Sequence, residues 1–184
     1  MDKKWIISKQ FEFCYGHRVW TQELNSEYSL DSQCKCRHIH GHQGTILIYL
    51  KAIKLINGMV TDFKHLNWFK KWLDDTLDHK FIMDINDPLF NHEVPDYDNR
   101  RITIKWDAKG FGLLEGYNNE GLENISKAVA EKYEGMVFVK FVPTSENLSK
   151  WLFEIVEEKM KKINVEVDRI DFFETPKSQS TYGY

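Results

Sequence analysis

Cysteine and proline are scarce in this 184-residue chain, which carries 3 of the first and 4 of the second. Three cysteines form an odd, sparse set. They exclude a disulfide-stapled scaffold, fit a reducing compartment, and turn attention to metal or nucleophile chemistry. Long hydrophobic runs are also missing. The longest strong one is Ile46 to Leu50, far short of the roughly 18 residues a membrane span needs. The opening Met1-Asp2-Lys3-Lys4-Trp5 lacks the apolar stretch of a secretory signal. Nor is there an excess of basic charge, with 25 Lys and Arg against 28 Asp and Glu and a formal net charge of -3. A dedicated nucleic-acid binder normally shows a basic face. The expectation is a cytoplasmic protein with neither a nucleic-acid nor a membrane partner. Internal repeats and low-complexity tracts are absent.

What the chain has instead is apolar and aromatic material: 42% of residues are hydrophobic and 14% aromatic, including 6 Trp. That composition excludes intrinsic disorder. The length suggests a single domain spanning residues 1–184, able to bury about 70% of its unfolded surface.

Periodicity orders the elements. Trp5 to Phe13 reads as a strand, and Gly44 to Ile53 as a second one rich in β-formers. A polar loop, Thr21 to Arg37, lies between them and holds two of the cysteines; Cys14 is expected to pack. Asn57-Gly58 marks a turn. Asp62 can cap a helix in which Leu66, Phe69, Leu73 and Leu77 recur at helical spacing. Pro143-Thr144-Ser145 opens a second helix, with Leu148, Trp151, Leu152, Ile155, Val156 and Met160 as its apolar stripe. Asn164 to Phe173 follows as a strand. The stretch 85–142 is too long for an ordinary loop and reads as an insertion with its own structure. Its expected contents are a hairpin of Arg101–Trp106 with Met136–Phe141, a helix near Leu122–Tyr133, and a mobile tip between Gly110 and Gly121. The whole predicts an α+β fold, with helices on one face of an antiparallel sheet. Sheet edges left bare by so few strands would be covered by oligomerisation.

Chemistry concentrates at His40-Gly41-His42. Residues i and i+2 of a strand share a face, so both imidazoles can reach one metal ion, and glycine between them permits close backbone approach. His17 ends the first strand and can join them if the two strands pair. Three nitrogen ligands with an open fourth position describe a catalytic zinc site; Cys34 and Cys36 with two histidines would describe a closed structural one. Cys36, near such a metal and beside Lys35 and Arg37, could serve as a base. Asp78-His79 couples a carboxylate to an imidazole. Glu174 could accept two hydrogen bonds from an amino-pyrimidine edge, and Glu146 favours the first turn of its helix. His38, His65 and His92 receive no role.

The motifs run in a definite order: Phe13-x-x-x-His17, Cys36-x-x-x-His40-Gly41-His42, Gly58-Met59-Val60-Thr61-Asp62-Phe63, Leu77-Asp78-His79, Pro143-Thr144-Ser145-Glu146-Asn147, then Glu174-Thr175 and Tyr182. Together they resemble the 6-pyruvoyl-tetrahydropterin synthase and 6-carboxy-tetrahydropterin synthase (QueD) superfamily over residues 11–83 and 143–182. The resemblance implies a tunnelling fold whose subunits join into barrels, as homohexamers of two stacked trimers with sites at subunit interfaces. It implies zinc held by His17, His40 and His42, and a pterin anchored by Glu174 with Thr144, Ser145 and Glu146 nearby. Cys36 would be the proton-abstracting base. Asp78 and His79 would be the acid–base pair, supplied by a neighbouring subunit. The implied substrate is 7,8-dihydroneopterin triphosphate. In the carboxy-forming branch, which leads toward 7-deazaguanine compounds such as queuosine, acetaldehyde and triphosphate are lost; in the pyruvoyl branch only triphosphate is lost. The catalytic cysteine stands four residues before the His-x-His pair in the first branch and six in the second. Cys36 and Cys34 satisfy one each, while Lys35-Cys36 and Asp62-Phe63 favour the carboxy-forming branch. A zinc- and pterin-binding scaffold without turnover is the non-enzyme alternative.

Overall fold

The computed structural model describes residues 4–29, 31, 33–118 and 125–184. In chain order the elements are β1 (Trp5–His17), β2 (His40–Ala52), α1 (Asn67–Thr76), β3 (Lys80–Asp84), α2 (Phe90–Glu93), α3 (Pro95–Asp98), β4 (Ile102–Trp106), β5 (Phe111–Tyr117), α4 (Lys127–Glu134), β6 (Met136–Val139), α5 (Ser145–Lys161), β7 (Glu166–Thr175) and β8 (Ser178–Gly183). Two compact units emerge. One comprises Met1–Cys14, His42–Asp78 and Thr144–Tyr184; the other comprises Tyr15–Gly41 and His79–Pro143.

In the first unit the strand order is β1-β2-β7-β8. β2 and β7 run antiparallel with Ile48 opposite Ile170, and β7 and β8 antiparallel with Phe172 opposite Ser180. Strand parity decides what is buried. Along β1, Phe11, Phe13, Tyr15 and His17 are buried while Gln10, Glu12 and Cys14 are exposed. The expected packing role of Cys14 therefore fails: its position in the alternation turns it away from the core. Along β2 the even positions Gly44, Ile46, Ile48 and Leu50 are buried, and His40 and His42 continue that row.

Both expected helices pack here. Leu66, Phe69, Leu73 and Leu77 are at most 1% exposed, which confirms the α1 stripe. Phe69 meets Phe11 edge-on, ring centres 5.1 Å apart, and Trp72 meets Trp151 of α5 at 5.7 Å. On the outer side of α1, Lys70–Asp74 and Lys71–Asp75 form i,i+4 ion pairs. Asp62 does cap, but it caps a single 3-10 turn, Phe63–Leu66, by accepting the Lys64 N–H. Thr144 caps α5 by accepting the Asn147 N–H at 3.3 Å.

The second unit orders its strands β4-β5-β6-β3, and β3 lies parallel to the end of β1 with Tyr15 opposite Lys80. β3 and β6 are also parallel, so the sheet is mostly rather than wholly antiparallel. Residues of 85–142 pack with Met83 of β3 into a core of Met83, Phe90, Val94, Ile102, Ile104, Tyr133 and Phe138. Within it the Tyr133 hydroxyl donates to Asp96 at 2.6 Å, and Arg101 pairs with the same carboxylate at 3.1 Å. Burial first, and then the Asp96 carboxylate, push the tyrosine's pKa up. The expected hairpin is corrected: Arg101–Trp106 pairs with Phe111–Tyr117, while Met136–Val139 pairs with β3 and β5. Gly112 explains the fit, since a Cβ there would stand 2.6 Å from Ile104 and 2.9 Å from Trp106. The segment expected as a mobile tip forms β5, and its end at 119–121 lies outside the described residues. The expected helix is present as α4, capped by Ser126; its expected start at 122–124 also lies outside them.

Candidate active site

β1 and β2 are hydrogen-bonded neighbours, and the pairing expected of them brings the histidines together. His17, His40 and His42 each offer a ring nitrogen within 4.8 Å of the others. The His17 and His40 ring centres are 4.6 Å apart. Gly41 is required between the two β2 histidines because a Cβ there would stand 3.0 Å from the Tyr15 carbonyl oxygen. His17 is fully buried, with its ring edge-on to Tyr15 at 5.1 Å.

The tautomers are set from behind. Nδ1 of His17 lies 2.7 Å from the carbonyl oxygen of Pro143, and Nδ1 of His40 lies 2.7 Å from that of His38. A carbonyl only accepts, so each Nδ1 carries the proton and each Nε2 keeps its lone pair. Those Nε2 atoms are buried. An imidazole backed by a carbonyl through one nitrogen and presenting the other is how histidine serves a metal. The residues therefore fit a zinc-type ion: three nitrogen donors, with no thiol among the three, in the arrangement that leaves a fourth position open.

The two loop cysteines are not equivalent. The Cys36 carbonyl accepts the Val19 N–H at 2.8 Å, which ties that residue to the chain two positions after His17. Cys34 precedes the 3-10 turn Lys35–Arg37 as its cap, with no side-chain capping bond. Glu174, at the end of β7, places Oε1 3.7 Å from Nε2 of His42. Thr144 is engaged as the α5 cap. The Ser145 carbonyl accepts from Ser180 at 2.6 Å, and the Ser145 hydroxyl lies 3.3 Å from the exposed Glu146 carboxylate.

Asp78 and His79 follow the end of α1. Asp78 accepts the Cys14 N–H at 2.8 Å, and the pair groups with Cys14 rather than with the three histidines. His79 has φ of 60°, a left-handed conformation that usually falls to glycine or asparagine after a helix.

Sequence reasoning missed Arg18, Trp20, Asp84 and Asp87. Arg18 Nε pairs with Asp87 at 3.0 Å, and the Asp87 side chain is 1% exposed. Trp20 Nε1 donates to Asp84 at 3.0 Å. The signal was two acidic residues at an apolar strand end, Met83-Asp84-Ile85-Asn86-Asp87, where uncompensated carboxylates are costly.

The model of a family described as 6-pyruvoyl tetrahydropterin synthase matches residues 6–183. The 6-carboxy-5,6,7,8-tetrahydropterin synthase of Aquifex aeolicus is 30% identical, with 97% of this chain and 98% of that protein covered. A crystal structure of an uncharacterized protein from Wolinella succinogenes is 44% identical with a TM-score of 0.90, covering 98% of each chain. The 6-pyruvoyl tetrahydropterin synthase from Plasmodium vivax superposes with a TM-score of 0.56 at 14% identity, over 100% of this chain and 99% of its own, and speaks for the fold alone. Among the described residues no helix is long and apolar enough to cross a membrane.

Proposed function

The chain belongs to the 6-pyruvoyl tetrahydropterin synthase family, and from that premise we propose that it is a zinc-dependent 6-carboxy-5,6,7,8-tetrahydropterin synthase. It would convert 7,8-dihydroneopterin triphosphate to the 6-carboxy product, releasing acetaldehyde and triphosphate, in the cytoplasmic synthesis of 7-deazaguanine compounds. One observation carries the reading: His17 and His40 are each locked by a carbonyl on Nδ1, so that three imidazoles converge with nitrogens to offer.

His17, His40 and His42 would hold the metal. Bound there, zinc supplies a Lewis acid for the negative charge that develops on substrate oxygens. Glu174 would accept two N–H bonds from the amino-pyrimidine edge and so fix which carbon faces the base. Cys36, anchored through Val19 beside His17, would take a proton from that carbon. His79, oriented next to Asp78, would move a proton on the other side. Because Asp78 and His79 group with Cys14 instead of the three histidines, they would serve the site of a neighbouring copy, in a homohexamer built as a dimer of trimers.

Incubation of the zinc-loaded protein with 7,8-dihydroneopterin triphosphate tests the reading. Acetaldehyde and a carboxylated pterin are expected. A 6-pyruvoyl product, or tight pterin binding without turnover, would overturn it.

A further inference from the structure

The insertion at 85–142 is unmatched by any motif, yet both of its ends reach the same four residues. His17, Arg18, Val19 and Trp20 are each held separately. His17 Nδ1 donates to the Pro143 carbonyl at 2.7 Å, at the residue where the insertion closes. Arg18 pairs with Asp87 at 3.0 Å and Trp20 donates to Asp84 at 3.0 Å, where the insertion opens. Val19 N–H donates to the Cys36 carbonyl at 2.8 Å.

The holders are themselves held. Asp87 Oδ1 accepts the Leu89 N–H at 2.8 Å, which leaves Oδ2 to Arg18. Asp84 Oδ1 accepts both the backbone and the side-chain nitrogen of Asn86, at 2.9 and 3.0 Å, which leaves Oδ2 to Trp20. Both carboxylates are nearly dry, at 2% and 4% exposure, where hydrogen bonds are strong and loss of a partner is expensive. Pro143 is buried, and its carbonyl is held by the bond to His17. Apolar side chains alone could have closed this part of the unit. Paired charges in its interior instead impose one geometry on the segment.

We propose that Arg18, Trp20, Asp84 and Asp87 are positioning residues that set the metal ligand His17 and, through Val19, the thiol of Cys36. The two borders of the insertion act as the clamp, with Asp87 just inside and Asp84 and the Pro143 carbonyl flanking it. This rests on the reading of His17 as a metal ligand and goes beyond it by giving the insertion a task at the site. Changes to partners standing behind metal ligands typically cost about 10- to 100-fold in metal affinity.

The test compares zinc affinity, measured by chelator competition, with the rate at which iodoacetamide alkylates Cys36 in zinc-free protein, followed by peptide mass. Asp87→Asn keeps the shape and loses the charge; Trp20→Phe, which removes the indole donor together with part of the ring, keeps the test open if Asp87→Asn fails to fold. Both are expected to weaken zinc roughly 10-fold or more and to change the Cys36 rate. Arg18→Lys, which keeps the charge, is expected to fall between Asp87→Asn and the unaltered protein. Tyr133→Phe breaks the hydrogen bond to Asp96 in the same unit and serves as the control: it should lower the melting temperature and leave zinc affinity alone. Unchanged zinc affinity in both Asp87→Asn and Trp20→Phe would overturn the inference. So would an equal loss in Tyr133→Phe, which would reduce the effect to general stability. If the unaltered protein itself fails to bind zinc, the metal reading falls with it; if it binds and the variants bind equally, only the clamp falls.

Discussion

Oε1 of Glu174 stands 3.7 Å from Nε2 of His42, so a carboxylate from the end of β7 meets the histidine row of β2. Glu174→Gln keeps the size and removes the charge. Hydrogen bonds to charged groups are worth about 1.5–3 kcal/mol. The expected result is a KM for the pterin raised roughly 10- to 100-fold, with zinc retained. Steady-state kinetics beside a metal assay check it. Loss of zinc at constant KM would make Glu174 a support for His42 instead of a pterin anchor.

Alanine at His17, His40 or His42 removes a donor outright. Each variant should lose more zinc affinity than the roughly 10- to 100-fold typical of outer partners, as read by metal content after dialysis. His17→Ala should also lower the melting temperature most, because His17 alone of the three is fully buried. Full zinc occupancy in any one variant removes that residue from the set.

Cys36 and Cys34 stand four and six residues before His40. Only Cys36 is shown tied by its carbonyl to the segment after His17. Cys36→Ala should therefore cut kcat by about 10²- to 10⁴-fold, the usual worth of a positioned base. Cys34→Ala should stay within a few-fold of the unaltered protein. Single-turnover measurement of both decides, and the reverse pattern would transfer the role.

Asp168 is 3% exposed and meets Lys4 at 2.5 Å, Arg169 at 2.9 Å and Lys51 at 3.7 Å. Burial alone would raise its pKa. Hydrogen bonds from Lys4 and Arg169, with the charges of Lys4 and Lys51, outweigh that and hold it below the ordinary value. A carboxylate whose folded pKa is depressed stabilises above its unfolded pKa, and that stability drains away as pH falls through the folded value. Asp168→Asn should cost about 2 kcal/mol near neutral pH, a drop of several degrees in Tm. The gap between variant and unaltered protein should shrink below about pH 4. Thermal melts across pH 3–7 would show a constant gap if the pairing contributed nothing.

Local signals carried far. The leucines of α1, the opening of α5 at Pro143-Thr144-Ser145 and the parity that faces His40 and His42 the same way all follow from spacing along one segment. Pairing partners did not follow. Arg101–Trp106 looked made for Met136–Phe141, because Phe111–Tyr117 carries two glycines, a mark against strand. Yet Gly112 is what lets β5 slide beneath Ile104 and Trp106, a requirement visible only once both strands are in place. The partners of Asp84 and Asp87 were unreadable for a similar reason, since Trp20 and Arg18 lie more than sixty residues away along the chain.

The geometry at the two ends of residues 85–142 has a consequence for where this chain tolerates change. Asp84 and Asp87 at one end and Pro143 at the other are fixed to residues 17–20, while the stretch between them packs Phe90, Ile102, Tyr133 and Phe138 into a core and ties back to β3 through β6. Changes between these anchors and away from β6 are expected to leave the three histidines in place, whereas one residue gained or lost at either border would displace the contacts made to His17, Arg18 and Trp20.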